Sequence, residues 1–132
     1  MSQENVEIVR RTLEAFSDRD FDAASYLAPD IEWEPASPSA VEHAVYRGRE
    51  EVAEATAVLW EIWDVFRFEE TEVRDLGESV LWPGHVHMKG GASQLGLDQE
   101  FANHIDLRDR KIVRVRAFLS WREGLQAAGL QE

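Results

Sequence analysis

The chain has 132 residues, enough for one hydrophobic core, and we expect a single domain spanning residues 1–132. A formal net charge of −12 argues against nucleic-acid binding, because the chain repels phosphate backbones, and the lack of cysteine excludes disulfides and thiolate metal sites. Apolar runs are far shorter than the roughly 20 residues of a membrane span, and the polar start is unlike a signal peptide, so we expect a soluble cytoplasmic protein.

The first half of the chain is predicted to be mainly helical. A first helix is predicted over residues 2–18, because apolar residues recur there at three- and four-residue spacings. A shorter helix is predicted over 21–27 and a short strand over 31–34. A loop rich in proline and serine follows over 35–47, and a long helix is predicted over 48–66.

The second half is predicted to be mainly strands. Strands are expected over 68–75 and 79–89, and the second contains Pro83-Gly84, which indicates an edge or a bulge. A hairpin follows over 99–121, and a helical tail closes the chain over 121–130. Helices followed by a run of strands favour an α+β fold with an antiparallel sheet. We expect a strongly curved, cone-shaped sheet covered on one face by the N-terminal helices.

The turn of the hairpin decides which residues share a face. A two-residue loop places Asn103 opposite Arg116, whereas a three-residue loop over 108–110 places Asn103 opposite Val115. The longer loop requires Arg110 in a left-handed conformation, at a cost of about 1 kcal/mol relative to glycine. We favour it because it gathers one apolar face around Asn103, formed by Phe101, Ile105, Val113, Val115, Ala117 and Leu119. A lone polar group on a buried face needs a partner or a purpose.

Three segments together carry a family resemblance: SQENVEIVRRTLEAFSDRDFDAASYLAPDIEWEP, YRGREEV and FANHIDLRDRKIVRVRAFLSWREGLQAAGL. They resemble the nuclear transport factor 2-like superfamily, and its SnoaL-like (polyketide-cyclase-like) branch in particular. The resemblance implies a cone-shaped α+β domain with an apolar pocket between sheet and helices, usually a homodimer. It leaves the activity open, because the superfamily includes isomerases, cyclases, epoxide hydrolases and non-catalytic binding domains.

Ketosteroid isomerases in this superfamily allow single positions to be compared. Their general-base aspartate precedes a proline after the first strand, where this chain has Glu34-Pro35. Their oxyanion-stabilising aspartic acid matches Asn103, and their oxyanion tyrosine matches Thr12. The tyrosine is thus missing, so steroid isomerisation is not expected. The arginine and two aspartates of the epoxide hydrolases are not recognisable, and many relatives are acidic where this chain has Ser120.

These positions make Glu34 the candidate general base and Asn103 the candidate oxyanion donor. A carboxylate facing an apolar cavity has a raised pKa, which suits proton transfer near neutral pH. Strand alternation places Glu34 and Trp33 on opposite faces, so one of them points away from the pocket. The predicted pocket lining consists of Thr12, Phe16, Trp33, Trp60, Trp63, Trp82, Phe101, Val115, Ala117 and Leu119.

His85 and His87 share one strand face at a spacing that suits metal ligands, but also suits a polar outer face or a dimer contact. Without a metal-site signature we expect neither a metal nor a cofactor. The resemblance implies a homodimer, paired through the sheet, that binds a small apolar molecule. Two functions remain open: acid–base isomerisation, cyclisation or hydration, and ligand binding or accessory dimerisation without catalysis. The missing tyrosine slightly favours the second.

Overall fold

The computed structural model describes residues 2–19, 25–35, 45–90 and 96–130. Within these ranges the chain forms three helices and seven strands. The helices are α1 (Ser2–Ser17), α2 (Gly48–Ile62) and α3 (Trp121–Ala127). The strands are β1 (Leu27–Glu34), β2 (Tyr46–Arg47), β3 (Val65–Glu70), β4 (Arg74–Asp75), β5 (Ser79–Lys89), β6 (Gly96–Arg108) and β7 (Lys111–Phe118).

All of these strands belong to one sheet, in the order β2-β1-β7-β6-β5-β3, with β4 also paired to β5. β1 and β7 run parallel, and the other neighbouring strands run antiparallel. The predicted α+β class is therefore confirmed, with a mixed sheet that is not closed into a barrel. No helix in the described ranges is long and apolar enough to cross a membrane.

The helices lie on both faces of the sheet. α1 and α2 cover the face that carries the main core, while α3 packs against the opposite face, where Gly124 lies against Ala102. A methyl group on Gly124 would approach the Ala102 side chain to 2.7 Å, so only glycine lets α3 lie this close. The buried core between sheet and helices consists of Ile8, Val9, Ile31, Val80, Trp82, Ile105, Leu107 and Ile112.

Two predicted boundaries near the helices were wrong. α2 ends at Ile62 rather than Phe66, because Trp63 adopts an extended backbone (φ −111°, ψ 128°) and Val65 already begins β3. The apolar spacing of Trp63 and Phe66 fits a helix and a strand equally well, so the pattern could not locate this end. β1 begins at Leu27, upstream of the predicted strand.

Other predicted segments were divided or fall partly outside the described ranges. The predicted strand over 68–75 is two strands, β3 and β4. Of the predicted helix over 21–27, residues 21–24 lie outside the described ranges, 25–26 form a short 3₁₀ turn and Leu27 belongs to β1. Of the predicted loop over 35–47, residues 36–44 lie outside them and Tyr46–Arg47 form β2.

The predicted strand over 79–89 is confirmed as β5, and Pro83 lies where its outer partner changes. β4 pairs with Val80 and Leu81, and β3 pairs from Gly84 onwards, so Pro83 pairs with neither. The Pro83 carbonyl accepts a hydrogen bond from the Thr71 backbone N–H at 2.9 Å in this gap. Because N–H and C=O of a strand residue point the same way, the missing N–H of Pro83 also faces the gap.

The hairpin between β6 and β7 has the two-residue loop of the alternative prediction, with Arg108 paired to Lys111, so the favoured three-residue loop was wrong. Its turn is the pair Asp109-Arg110, with both residues in the left-handed region (φ 53° and 63°), as in a type I′ turn. Leu107 pairs with Ile112 and Asp106 pairs with Arg114, so Val113 is an extra, bulged residue.

The bulge shifts the pairing so that Asn103 lies opposite Ala117, not opposite Val115 or Arg116. The predicted face is correct for Phe101, Ile105, Val115 and Ala117, which lie on the Asn103 side by register. It is wrong at the turn, where Ile112 replaces Val113, because the extra residue changes the phase of the alternation.

Candidate functional site

A mostly apolar cavity of about 160 Å³ lies between α1, α2 and the sheet. The residues in each wall of the cavity follow from the periodicity of the helix or strand that carries them. α1 and α2 turn apolar residues at three- and four-residue spacings towards the sheet, and the strands contribute alternate residues. The lining residues are Thr12, Leu13, Phe16, Leu27, Ile31, Trp33, Arg49, Val52, Ala53, Thr56, Leu59, Trp60, Phe66, Phe68, Phe101, Asn103 and Val115.

Aromatic rings in mutual contact form one side of the cavity. Phe16 lies 5.9 Å from Trp60, 5.6 Å from Phe66 and 5.6 Å from Phe68, measured between ring centroids. Phe68 in turn lies 5.8 Å from Phe101. These tilted and edge-on contacts hold the rings in place, so this wall presents a fixed apolar surface to a ligand.

Hydroxyl groups in the cavity wall donate to backbone carbonyls of their own helices. The Thr12 hydroxyl donates to the carbonyl of Ile8 at 2.8 Å, and the Thr56 hydroxyl donates to the carbonyl of Val52 at 2.8 Å. A ligand in the cavity therefore does not receive these two protons. Among the described polar side chains of the lining, Asn103 and Arg49 carry amide and guanidinium donors that remain for a ligand, beside the indole N–H groups of the tryptophans.

Asn103 is the buried polar group of this cavity. It lies in the middle of β6, its residue is 3% exposed, and its side-chain Nδ2 has no hydrogen-bond partner among the described residues. A buried N–H donor without an acceptor costs roughly 1–3 kcal/mol of stability. Such a donor, pointing into an apolar cavity, is suited to an acceptor oxygen supplied from outside the chain.

Arg49 lies at the mouth of the same cavity. It is exposed, although it also lines the cavity, and its Nε donates to the carbonyl of Leu27 at 2.8 Å. This bond ties the start of α2 to the start of β1. It also leaves the terminal amino groups of the guanidinium as additional donors at the cavity mouth.

Glu34, the predicted general base, does not line the cavity. It is the last residue of β1, it is half-buried, and it pairs in register with Arg116 of β7. Trp33 lines the cavity instead, and alternation turns Glu34 to the other face of the sheet. The structure therefore does not bring Glu34 and Asn103 together. Glu34 shares a row across the sheet with Arg116 and His104.

The family model for the SnoaL-like domain matches residues 9–115 of the chain. The chain belongs to the SnoaL-like domain family. This match covers the helices and strands that form the cavity, and it confirms the resemblance found in the sequence. No functionally curated protein matches the chain significantly.

Solved structures similar to this SnoaL-like domain share its fold at low identity. A candidate polyketide cyclase from Xanthomonas campestris pv. campestris has a TM-score of 0.78 and 21% identity, covering 92% of this chain and 93% of that one. TerC, co-crystallised with polyporic acid, has a TM-score of 0.78 and 20% identity, covering 89% and 92%. An NTF2-like protein of unknown function from Burkholderia pseudomallei K96243 has a TM-score of 0.77 and 20% identity, covering 93% and 95%.

Of the predicted site residues, the SnoaL-like domain brings one group together at the cavity: Thr12, Phe16, Trp33, Trp60, Phe101, Asn103 and Val115. Four others lie elsewhere. Trp82 is 2% exposed within the core, Trp63 packs against Gly90 after the end of α2, Ala117 is buried opposite Asn103, and Leu119 lies beyond the end of β7.

Much of the α2 side of the cavity was not predicted from the sequence, namely Arg49, Val52, Ala53, Thr56 and Leu59. Val52 and Leu59 recur with other apolar residues at helical spacing along α2, so this periodicity could have predicted them. Arg49 carried no such signal, because a charged residue at a helix start is typical of a solvent-exposed position.

The opposite face of the sheet carries a polar cluster around His104, which is 9% exposed. Its Nδ1 lies 2.6 Å from Nη2 of Arg116, and its Nε2 lies 3.2 Å from the Ser79 hydroxyl. A guanidinium can only donate, so Nδ1 accepts and the ring proton is on Nε2. The bulge at Val113 brings Arg116 opposite His104 across the strands.

Burial lowers the pKa of His104 below the ordinary 6.5. The negative charge of Asp106, 3.8 Å away, acts in the opposite direction, while the positive charges of Arg116 and Arg114 lower the pKa further. His104 is therefore neutral near neutral pH. Its contacts are those of a structural residue, remote from the cavity.

His85 and His87 lie on this outer face as well. His85 Nδ1 is 3.1 Å from Asp98 Oδ1, and His87 Nδ1 is 3.5 Å from Asp98 Oδ2. Glu69 lies 3.4 Å from the Nε2 of His87. In the described part of the chain, no group of three or more such side chains is arranged to hold a metal ion.

Proposed function

We propose that this SnoaL-like protein binds one small, mostly apolar molecule in its cavity, with Asn103 donating a hydrogen bond to an oxygen of that molecule. The single observation that carries the proposal is the buried Nδ2 of Asn103, which lines the cavity and has no partner among the described residues. Small-molecule sites typically combine apolar walls with a few placed polar groups.

The volume of the cavity limits the size of the ligand that it can hold. An engineered apolar cavity of about 150 Å³ accepts benzene, so a cavity of about 160 Å³ that opens at Arg49 suits a molecule with one ring or two fused rings. The aromatic wall formed by Phe16, Trp60, Phe66 and Phe68 favours a flat molecule.

Binding without catalysis is better supported than isomerase or cyclase chemistry. None of the described lining residues is a carboxylate or a histidine, and Glu34 lies on the other sheet face. Asn103 and Arg49 can orient a ligand and stabilise negative charge on it, but neither is suited to act as a general base near neutral pH. The family name and the polyketide-cyclase neighbour keep a cyclase as the second candidate.

The test compares two probes of similar shape, 2-acetylnaphthalene and 2-ethylnaphthalene, of which only the first carries an acceptor oxygen. Quenching of the Trp33 and Trp60 fluorescence gives the affinity. We expect the ketone to bind about 3–10-fold more tightly, the value of one neutral hydrogen bond. Asn103→Leu should abolish that preference while still binding 2-ethylnaphthalene.

Thr56→Val is the matched control, because its hydroxyl already donates to Val52 and the preference for the ketone should persist. If neither probe binds, or if Asn103→Leu retains the preference, the proposed site is wrong.

A further inference from the structure

We infer that the ligand is an anion whose carboxylate-like group is bound by Arg49 at the cavity mouth while its apolar body fills the interior. This inference rests on the proposed function, since it specifies the chemical class of the molecule in the same cavity. It adds a second anchoring point to the one that Asn103 provides.

The first support is that Arg49 has no acidic partner among the residues that the structure describes. Several arginines form carboxylate pairs: Arg10–Glu70, Arg11–Glu7, Arg47–Glu32, Arg67–Asp18, Arg108–Asp30 and Arg110–Glu4. Within the described ranges Arg49 forms no such pair, although the chain carries 26 acidic residues against 14 basic ones. A positive charge left unpaired at the mouth of a cavity in so acidic a chain is available for an external anion.

The second support is the orientation of the guanidinium. Its Nε donates to the carbonyl of Leu27 at 2.8 Å, which restricts the orientations of the group at the cavity mouth. The amino groups that remain can bind a carboxylate with less loss of side-chain entropy than a free arginine would incur.

The third support is the start of α2 beside Arg49. The helix has 15 residues, and its N-cap residue Arg47 makes no side-chain capping hydrogen bond. Backbone N–H groups of the first turn therefore add positive potential beside the guanidinium. The unpartnered, 3% exposed amide of Asn103 inside the same cavity independently indicates that a ligand enters past this point.

Two features of the chain disfavour the binding of an anion beside Arg49. Glu50 and Glu51 lie in the first turn of α2, and the net charge of −12 repels anions at long range. Glu51 is engaged in part, because its carboxylate accepts from the Arg47 backbone N–H at 3.3 Å. Long-range repulsion is screened beyond about 8–10 Å at physiological salt, whereas a direct contact with Arg49 is screened less. The local contact therefore decides the preference.

These positions define a ligand class: a flat arylcarboxylate with an acceptor oxygen on the part of the ring system that reaches Asn103. The carboxylate stays at the wet mouth, where its desolvation cost is small, and the ring contacts the aromatic wall. A neutral molecule of the same shape leaves the guanidinium of Arg49 without an anionic partner.

The test uses 2-naphthoate and 2-naphthamide, which have similar size and differ by one negative charge. At physiological salt and near neutral pH, the wild-type protein should bind 2-naphthoate about fivefold more tightly, a factor typical of one partly exposed ion pair. Arg49→Gln should remove the preference, and Arg49→Lys should keep part of it. Arg47→Gln is the matched control, because Arg47 is already paired with Glu32 and the preference should persist.

Each outcome has a separate meaning. Loss of the preference in Arg49→Gln, with retained binding of 2-naphthamide, supports the anion site. Equal or weaker binding of 2-naphthoate by the wild-type protein overturns it, while the proposed function stands if 2-acetylnaphthalene still depends on Asn103. Failure of all four probes to bind overturns both.

Discussion

Asn103 and His104 are adjacent in β6, and both are buried, but they face opposite sides of the sheet. Both ring nitrogens of His104 have protein partners, Arg116 and Ser79. The Nδ2 of Asn103 has none among the described residues. A satisfied buried polar group stabilises the fold, whereas an unsatisfied one costs stability unless a ligand supplies the missing acceptor.

The stability of variants at these two positions should differ accordingly. Asn103→Leu removes an unsatisfied donor, so we expect the free energy of unfolding in urea to stay the same or rise by up to about 1 kcal/mol. His104→Leu removes the acceptor of Arg116 and should cost about 1–3 kcal/mol. A loss above about 2 kcal/mol in Asn103→Leu would show that its amide is bonded within the protein.

His104 should also make the protein less stable towards acid. Its folded pKa is lowered below 6.5, chiefly by burial, so the unfolded chain binds this proton at a higher pH than the folded chain does. Stability rises with pH wherever the unfolded state binds more protons, so the contribution is complete above about pH 6.5 and declines below it. We expect His104→Gln to flatten the fall in unfolding free energy between about pH 7 and pH 5.

The comparison should be read as the difference between the two pH profiles, since all other titratable groups are the same in both proteins. Parallel profiles would mean that His104 has an ordinary pKa in the folded state.

For β1, the sequence could not predict which side chain faces the cavity. Alternation shows that Trp33 and Glu34 face opposite sides, but it does not say which side faces the core. The comparison with isomerases favoured Glu34, whereas the structure places Trp33 in the cavity wall. Packing decides this, because burying an indole is favourable and burying an unpaired carboxylate is costly.

At the scale of elements, the sequence predicted the strands of the central hairpin and most of their inner face, but not their register. The residues of the hairpin that face the core follow from the alternation of apolar and polar residues alone. The bulge at Val113 leaves no trace in the pattern, because Ile112 and Val113 are both apolar and β-branched, and either could face inwards. The end of α2 was missed for a similar reason, since Trp63 and Phe66 fit two periodicities.

The close contact between β3 and β5 predicts that a side chain at position 84, where Gly84 lies, strongly lowers stability. A methyl group there would lie 2.2 Å from the backbone oxygen of Glu69 and 2.7 Å from the Trp82 ring. Because the oxygen belongs to the paired strand β3, relief requires the backbone to move. We expect Gly84→Ala to lower the free energy of unfolding by about 1–3 kcal/mol.

Gly96→Ala is the matched control for Gly84→Ala. Gly96 begins β6, and a methyl group there meets nothing within 4 Å, so we expect a change within about 0.5 kcal/mol. Urea unfolding of both variants measures the contrast. Similar stabilities would mean that β3 and β5 do not approach closely at Gly84.

At the scale of the whole molecule, the net charge of −12 should make stability depend on salt. Two effects oppose each other. Salt weakens exposed ion pairs such as Arg10–Glu70, each worth about 0–1 kcal/mol, and it also screens the repulsion among the surplus carboxylates. The surplus is spread over the whole surface, whereas the pairs contribute little individually. We therefore expect the melting temperature to rise as NaCl increases from about 10 mM to about 300 mM.

Glu54→Lys tests whether net charge is the cause. Glu54 is exposed on α2 among other acidic residues, and the substitution changes the net charge from −12 to −10, since −12 + 2 = −10. With less repulsion to screen, the variant should melt higher than the parent at low salt and gain less from added salt. A melting temperature that falls with salt in the parent would instead show that its ion pairs outweigh the repulsion. In that case repulsion among the surplus carboxylates would have little effect on stability. The long-range repulsion between the protein and an anionic ligand would then be weak as well.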